Sequence, residues 1–149
     1  MTDSDGDPDT SDVVTGAPVD FDRLALVRER LSTDDRFARV AERPEFAPER
    51  LVCVYDSRLS PGTVRAARLE VVWFENGDFS IHYHEDLEAG TFDHRWDRHP
   101  SEHNTRDHVH PGPDAPTPGN DASHPEDWRD VLSMVLSETE DRQRAFWDE

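Results

Sequence analysis

The sequence predicts an α+β fold: a small antiparallel sheet of three to four strands, flanked by N-terminal helices and a C-terminal helix. Three observations carry this prediction. Apolar residues recur at helical spacing near residue 20 and again near residue 130. Between them lie short runs rich in valine and aromatic residues. Two of those runs are joined by Asn76-Gly77, the strongest short-range hairpin signal.

The elements follow in order. Residues 1–18 are mostly Asp, Ser, Thr and Gly with little to bury, and read as a disordered acidic tail. Residues 19–147 then form one domain, as the length of 149 residues suggests. Asp20 or Asp22 can cap a first helix whose Phe21, Leu24, Val27 and Leu31 share one face. Ser32-Thr33-Asp34 breaks it, and Phe37 and Val40 continue a second short helix to about Arg43. Pro44 and Pro48 stop helix formation. Strands are expected over Leu51 to Asp56, Arg65 to Glu75 and Phe79 to Glu85, with a fourth over Phe92 to Trp96. Residues 99–124 hold five Pro and two Gly and read as a His/Pro-rich loop. A loop so long in a compact domain points to function or disorder. Ser123 caps a last helix, with Pro125 in its first turn and Trp128, Leu132, Val135 and Leu136 on its apolar face, ending near Arg144.

Composition narrows the setting. The formal net charge is -18, and every one of the 16 basic residues is Arg. Asp outnumbers Glu. This complete loss of Lys resembles the proteins of halophilic archaea. Carboxylates hold water in concentrated salt, and a screening length of about 3 Å at 1 M removes their mutual repulsion. Against that background, overall acidity says little about nucleic-acid partners, and the placement of Arg is the better guide. The single Cys53 sits in an apolar run and forms no internal disulfide. No apolar run approaches the roughly 18 residues of a membrane span, and the acidic N-terminus lacks a signal-peptide core, so a cytoplasmic location is expected.

The hairpin register can be argued from side-chain segregation. A two-residue turn would mix polar and apolar side chains on both faces. A three-residue loop, Glu75-Asn76-Gly77, instead gathers Leu69, Val71, Trp73, Phe79, Ile81 and Tyr83 on one face. The other face then carries Arg68, Glu70, Ser80, His82 and His84, with Glu70 opposite His82 and Arg68 opposite His84. Carboxylate, imidazole and guanidinium together suit proton transfer near an anion.

Downstream the sequence runs His94-Arg95-Trp96-Asp97-Arg98-His99, then His103, Arg106, His108 and His110. Seven of the eight His fall between residues 82 and 110. Three uses of this set are open. One is metal-free RNA cleavage by paired His, with Arg on the phosphate and Trp96 or Tyr83 stacking a base. Another is a divalent metal held by the H-x-H pairs His82/His84 and His108/His110. The last is a polar surface that binds nucleic acid or protein, or simply meets water.

The stretch FSIHYHEDLEAGTFDHRWDRHPSEHNTRDHVHPGP resembles the TumE family of toxins of type II toxin–antitoxin systems. The likeness lies in Tyr83-His84 on a strand, Arg95-Trp96-Asp97, a His/Pro-rich segment ending in His108-Val109-His110, and an apolar C-terminal helix, over roughly residues 50–140. It implies a toxin neutralised by a cognate antitoxin carrying a DNA-binding module. The resemblance carries His84, Arg95, Asp97, His108 and His110 over as site residues, and His82 and Glu70 join them from the hairpin. RNA cleavage by this set, without an obligatory cofactor, is the preferred expectation. The alternatives are a non-enzymatic binding module and a metal-binding regulator. The acidic head and the insertion between His110 and Ser123 depart from the family pattern.

Overall fold

The computed structural model describes residues 16–45 and 49–148. Most of the acidic head, residues 1–15, and Pro48 lie outside the described residues. The element order is α1 (Phe21–Ser32), β1 (Phe37–Arg43), β2 (Arg50–Tyr55), a 3-10 turn (Ser57–Leu59), β3 (Val64–Trp73), β4 (Phe79–Leu87), β5 (Gly90–Arg98), β6 (Asp107–His110), β7 (Asn120–Asp121) and α2 (Trp128–Ala145). The seven strands form one antiparallel sheet in sequence order, β1-β2-β3-β4-β5-β6-β7. A meander of this kind needs only short connections, because each strand pairs with the next.

The α+β class holds, but among the described residues the sheet has seven strands rather than three or four, and one helix precedes it rather than two. The segment expected as a second helix is β1. Its Phe37 pairs with Tyr55 and its Arg39 with Val54, so the register slips by one residue between them. This bulge leaves Phe37 and Val40, both packed against the core, three positions apart. An extra residue on an inward-facing strand thus imitates helical spacing. The expected loop at 99–124 contains β6 and β7. Only Val109 of β6 faces the core, and its neighbours are His, so apolar alternation could not announce the strand.

The hairpin register is the one expected: Trp73 pairs with Phe79, Val71 with Ile81, Glu70 with His82 and Arg68 with His84. Gly77 sits at φ +90 and donates its N–H to the Phe74 carbonyl at 2.9 Å. A side chain at that φ is strained, so Gly is required.

The two helices cover one face of the sheet. Leu24, Val27 and Leu31 of α1 join Val131, Leu132, Val135 and Leu136 of α2 over Leu51, Cys53, Leu69, Val71, Phe79, Ile81 and Trp96. Burial of such side chains contributes about 1.5–3 kcal/mol each. Asp20 caps α1 by accepting the Arg23 N–H at 2.9 Å. Asp127, not Ser123, caps α2 by accepting the Arg129 N–H at 2.8 Å, so that helix starts later than the Pro125 signal suggests. On the core side, α2 is tied to the sheet by Arg142, which donates to both oxygens of fully buried Glu85, at 2.7 and 3.1 Å. Tyr55 and Thr139 hydroxyls bond at 2.8 Å across the same layer. No described helix is long and apolar enough to cross a membrane.

Candidate functional site

The sheet face away from the helices carries the polar residues. Strand alternation places Arg68 and Glu70 of β3 there, then Ser80, His82 and His84 of β4. On β5 the same parity selects Asp93, Arg95 and Asp97, which pair with His84, His82 and Ser80. On β6 it selects His108 and His110, which pair with Asp97 and Arg95. One face therefore collects all seven residues singled out from the sequence.

They do not meet at one point. Two carboxylates organise two clusters. Asp93 Oδ1 receives His82 Nε2 at 2.8 Å and His84 Nδ1 at 2.7 Å. Burial pushes the Asp93 carboxyl up, but the bonds from His82 and His84 outweigh it and bring its pKa to about 2. Four residues further along β5, roughly 13 Å by strand rise, the second cluster surrounds Asp97. Its Oδ1 accepts the Ser80 hydroxyl at 2.7 Å, and its Oδ2 accepts Arg95 Nε at 2.9 Å. The Nε2 atoms of His99, His110 and His108 approach the same Oδ2 at 3.3, 3.3 and 3.6 Å. Burial would raise the Asp97 carboxyl, yet His108, His110, His99 and the Arg95 charge hold it well below the carboxylate range. Burial likewise opposes charge on His108, and the bond to Asp97 reverses this and raises its pKa. Among the described residues, His82/His84/Asp93 and Asp97/His99/His108 are the two groups with metal-ligand atoms within 4.8 Å of one another.

Arg95 links the clusters, because it lies beside His82 on one side and His110 on the other. It also lines a cleft of about 590 Å³ with His99, His108 and His110. The exposed segment from Pro100 to His103 and Thr117 form the rim.

A family model described as Toxin TumE matches residues 23–143. The chain belongs to the TumE toxin family. The matched segment starts within α1 and reaches the end of α2, so it includes the first helix and β1, which the sequence resemblance over residues 50–140 left out. Membership of the TumE family assigns a toxin role, and a TumE toxin implies an antitoxin as partner. No curated protein and no solved structure matches the chain.

Several expectations need correction. Trp96 and Tyr83 cannot stack a base in this structure: they are 2% and 1% exposed on the helix-covered face. His94 lies on that face too, against Trp96 at 4.5 Å, and its Nδ1 accepts the Gly112 N–H at 3.1 Å. The Glu70 carboxylate is engaged by Arg68 Nε at 2.7 Å and Arg50 Nε at 3.3 Å. His84 bonds Asp93 rather than the Asp97 group, so His84 and His108 occupy different clusters. Asp93 and His99 were not among the expected site residues. Alternation along Asp93, Arg95, Asp97 and His99 would have found both, since all four have the same parity.

Proposed function

We propose that this toxin cleaves RNA at the polar face of its sheet, with His84 as general base and Arg95 as phosphate ligand. The observation that carries this reading is the order His84–Asp93–His82–Arg95 along one face, beside an open cleft. Asp93 occupies Nδ1 of His84, which leaves Nε2 to meet a substrate. A carboxylate behind an imidazole fixes its tautomer and orientation and stabilises its charged form. The base takes the 2′-hydroxyl proton, and the 2′-oxygen attacks phosphorus. The bond to the 5′-oxygen breaks as that oxygen gains a proton from solvent, to which His84 returns the one it took; His82, with Nε2 on Asp93 and Nδ1 buried, orients the carboxylate. The products are a 2′,3′-cyclic phosphate and a 5′-hydroxyl. Asp97 holds Arg95 through Nε, which aims the guanidinium, a bidentate donor suited to phosphate. His108 and His110 shape the floor of the cleft, and Glu70 neutralises the arginines beside it.

The test is direct. The chain is induced with and without its antitoxin and RNA integrity is followed, and purified protein is incubated with RNA and the ends are analysed. Cyclic phosphate ends are expected, with His84→Ala slowing cleavage by about 10²–10⁴-fold. Growth arrest with intact RNA, or full-rate cleavage by a folded His84→Ala variant, overturns the proposal.

A further inference from the structure

The Asp97 cluster is built differently from the Asp93 cluster, and the difference points to a ligand. Each of its three imidazoles has Nδ1 on a backbone carbonyl: His99 on Pro100 at 2.8 Å, His108 on Thr105 at 2.9 Å, His110 on Pro116 at 2.8 Å. A carbonyl only accepts, so all three Nδ1 atoms carry hydrogen and donate it. Three rings thus present Nε2 to one carboxylate oxygen from side chains that are at most 6% exposed. Neutral rings would aim three lone pairs at an anion. Three imidazoliums would crowd with Arg95 around a single buried carboxylate, far from charge balance.

We infer that Asp97, His99 and His108, whose ligand atoms all lie within 4.8 Å of one another, form a binding site for one divalent transition-metal ion, with His110 beside it on the same carboxylate. An ion at their centre satisfies the lone pairs of His99 and His108 and the carboxylate at once. The distances agree. Charge-assisted N–H···O bonds run about 2.7–2.9 Å, and His82 and His84 meet that range on Asp93. The contacts of His99 and His108 to Asp97 are 3.3 and 3.6 Å. Ligand atoms on a tetrahedron with bonds of about 2.0–2.1 Å stand about 3.3–3.4 Å apart. Both contacts are longer than the direct bonds on Asp93 and close to the spacing of atoms that share a cation.

The surroundings fit the outer shell of a metal site. Ligating His usually give their second N–H to a carbonyl or carboxylate, as His99 and His108 do here. Ser80 and Arg95 hold Asp97 in turn. The segments carrying the carbonyls are locked together: Asn104 donates to the Gly119 carbonyl at 2.8 Å and accepts the Gly119 N–H at 3.0 Å. A Cβ on Gly119 would come 2.3 Å from the Val109 carbonyl oxygen and 3.1 Å from His110 Nδ1, so Gly there lets the loop close on the site. Two imidazoles and a carboxylate without thiolate favour zinc or a neighbouring first-row ion over calcium or magnesium.

The inference does not depend on RNA cleavage, and no RNA enters its test. Untagged full-length protein is stripped with a chelator and titrated with zinc chloride by calorimetry, in salt at which circular dichroism shows it folded. Wild type is expected to bind one equivalent. His99→Ala and His108→Ala are expected to bind about 100-fold more weakly or not at all, and Asn104→Ala about 10-fold more weakly. His82→Ala/His84→Ala is expected to bind as wild type does. Absence of one-equivalent binding by the folded wild type overturns the inference, whatever the variants do. So does binding that survives in folded His99→Ala and His108→Ala, whatever His82→Ala/His84→Ala does.

Discussion

Replacing Arg142 by Met tests what holds α2 to the sheet. Glu85 is fully buried on the core face of β4, where Arg142 gives it two hydrogen bonds and Tyr83 a third. The Arg142 side chain is 32% exposed and lies over Phe92, with its guanidinium carbon 3.8 Å from the ring centroid. Removing one partner of a buried pair costs about 3–5 kcal/mol, because the other charge stays without compensation. Partial exposure of Arg142 places Arg142→Met near the lower end, about 3 kcal/mol. For a chain of this size that lowers Tm by roughly 6–12 °C. Met preserves most of the packing on Phe92, so the loss reports the charge. Glu85→Met on top of Arg142→Met should recover most of the stability, since an apolar pair of similar volume needs no desolvated charge. Urea denaturation of the wild type, both single variants and the double variant provides the cycle. A cost under 1 kcal/mol for Arg142→Met, or a double variant as unstable as the sum of the singles, refutes the reasoning.

Other outcomes follow from the same structure. Gly77→Val should cost about 1–2 kcal/mol through its left-handed conformation, and an unchanged urea midpoint would contradict the turn geometry. Burial, with the nearby His110 and His82, lowers the pKa of His94 to about 4. Above pH 6.5 both states are neutral there. As pH falls from 6.5 towards 4, the unfolded chain binds a proton that the folded chain resists, so stability is lost over that window. His94→Asn retains an acceptor for Gly112 and should flatten that part of the stability–pH curve, and parallel curves for the two proteins would rule the effect out. With a net charge of -18, the fold should gain stability as salt rises towards molar concentrations. Identical cooperative melts in low and high salt would count against it.

The fold was legible where one local rule acted alone. The β3–β4 register followed from side-chain segregation and Gly77. The apolar stripe Leu24, Val27 and Leu31 marked α1. It was illegible where two rules overlapped. The slip between Phe37 and Arg39 gave β1 a helical period. In β6, only Val109 supplies apolar signal, and the strand forms because β5 already offers Trp96 and Arg98 as partners for Val109 and Asp107. Pairing across strands is a tertiary term that a one-dimensional pattern does not contain.

The site divides the same way. Clustering of His in sequence marked the region, and parity on β4 put His82 and His84 together. Which carboxylate each imidazole would meet depended on strand order, and strand order depended on β6 being a strand. Once β6 lies beside β5, His108 stands opposite Asp97 and His110 opposite Arg95. His99 then enters from the end of β5, two residues past Asp97. Apart from the His99 side chain, the loops on either side of β6 contribute backbone to the cluster: the Thr105 carbonyl precedes it, and the Pro116 carbonyl follows it. The long Pro-rich connection therefore does chemical work through its carbonyls, which set the tautomers of His108 and His110. Its sequence could not announce that role, since any residue offers a carbonyl and only the path of the chain decides where it points.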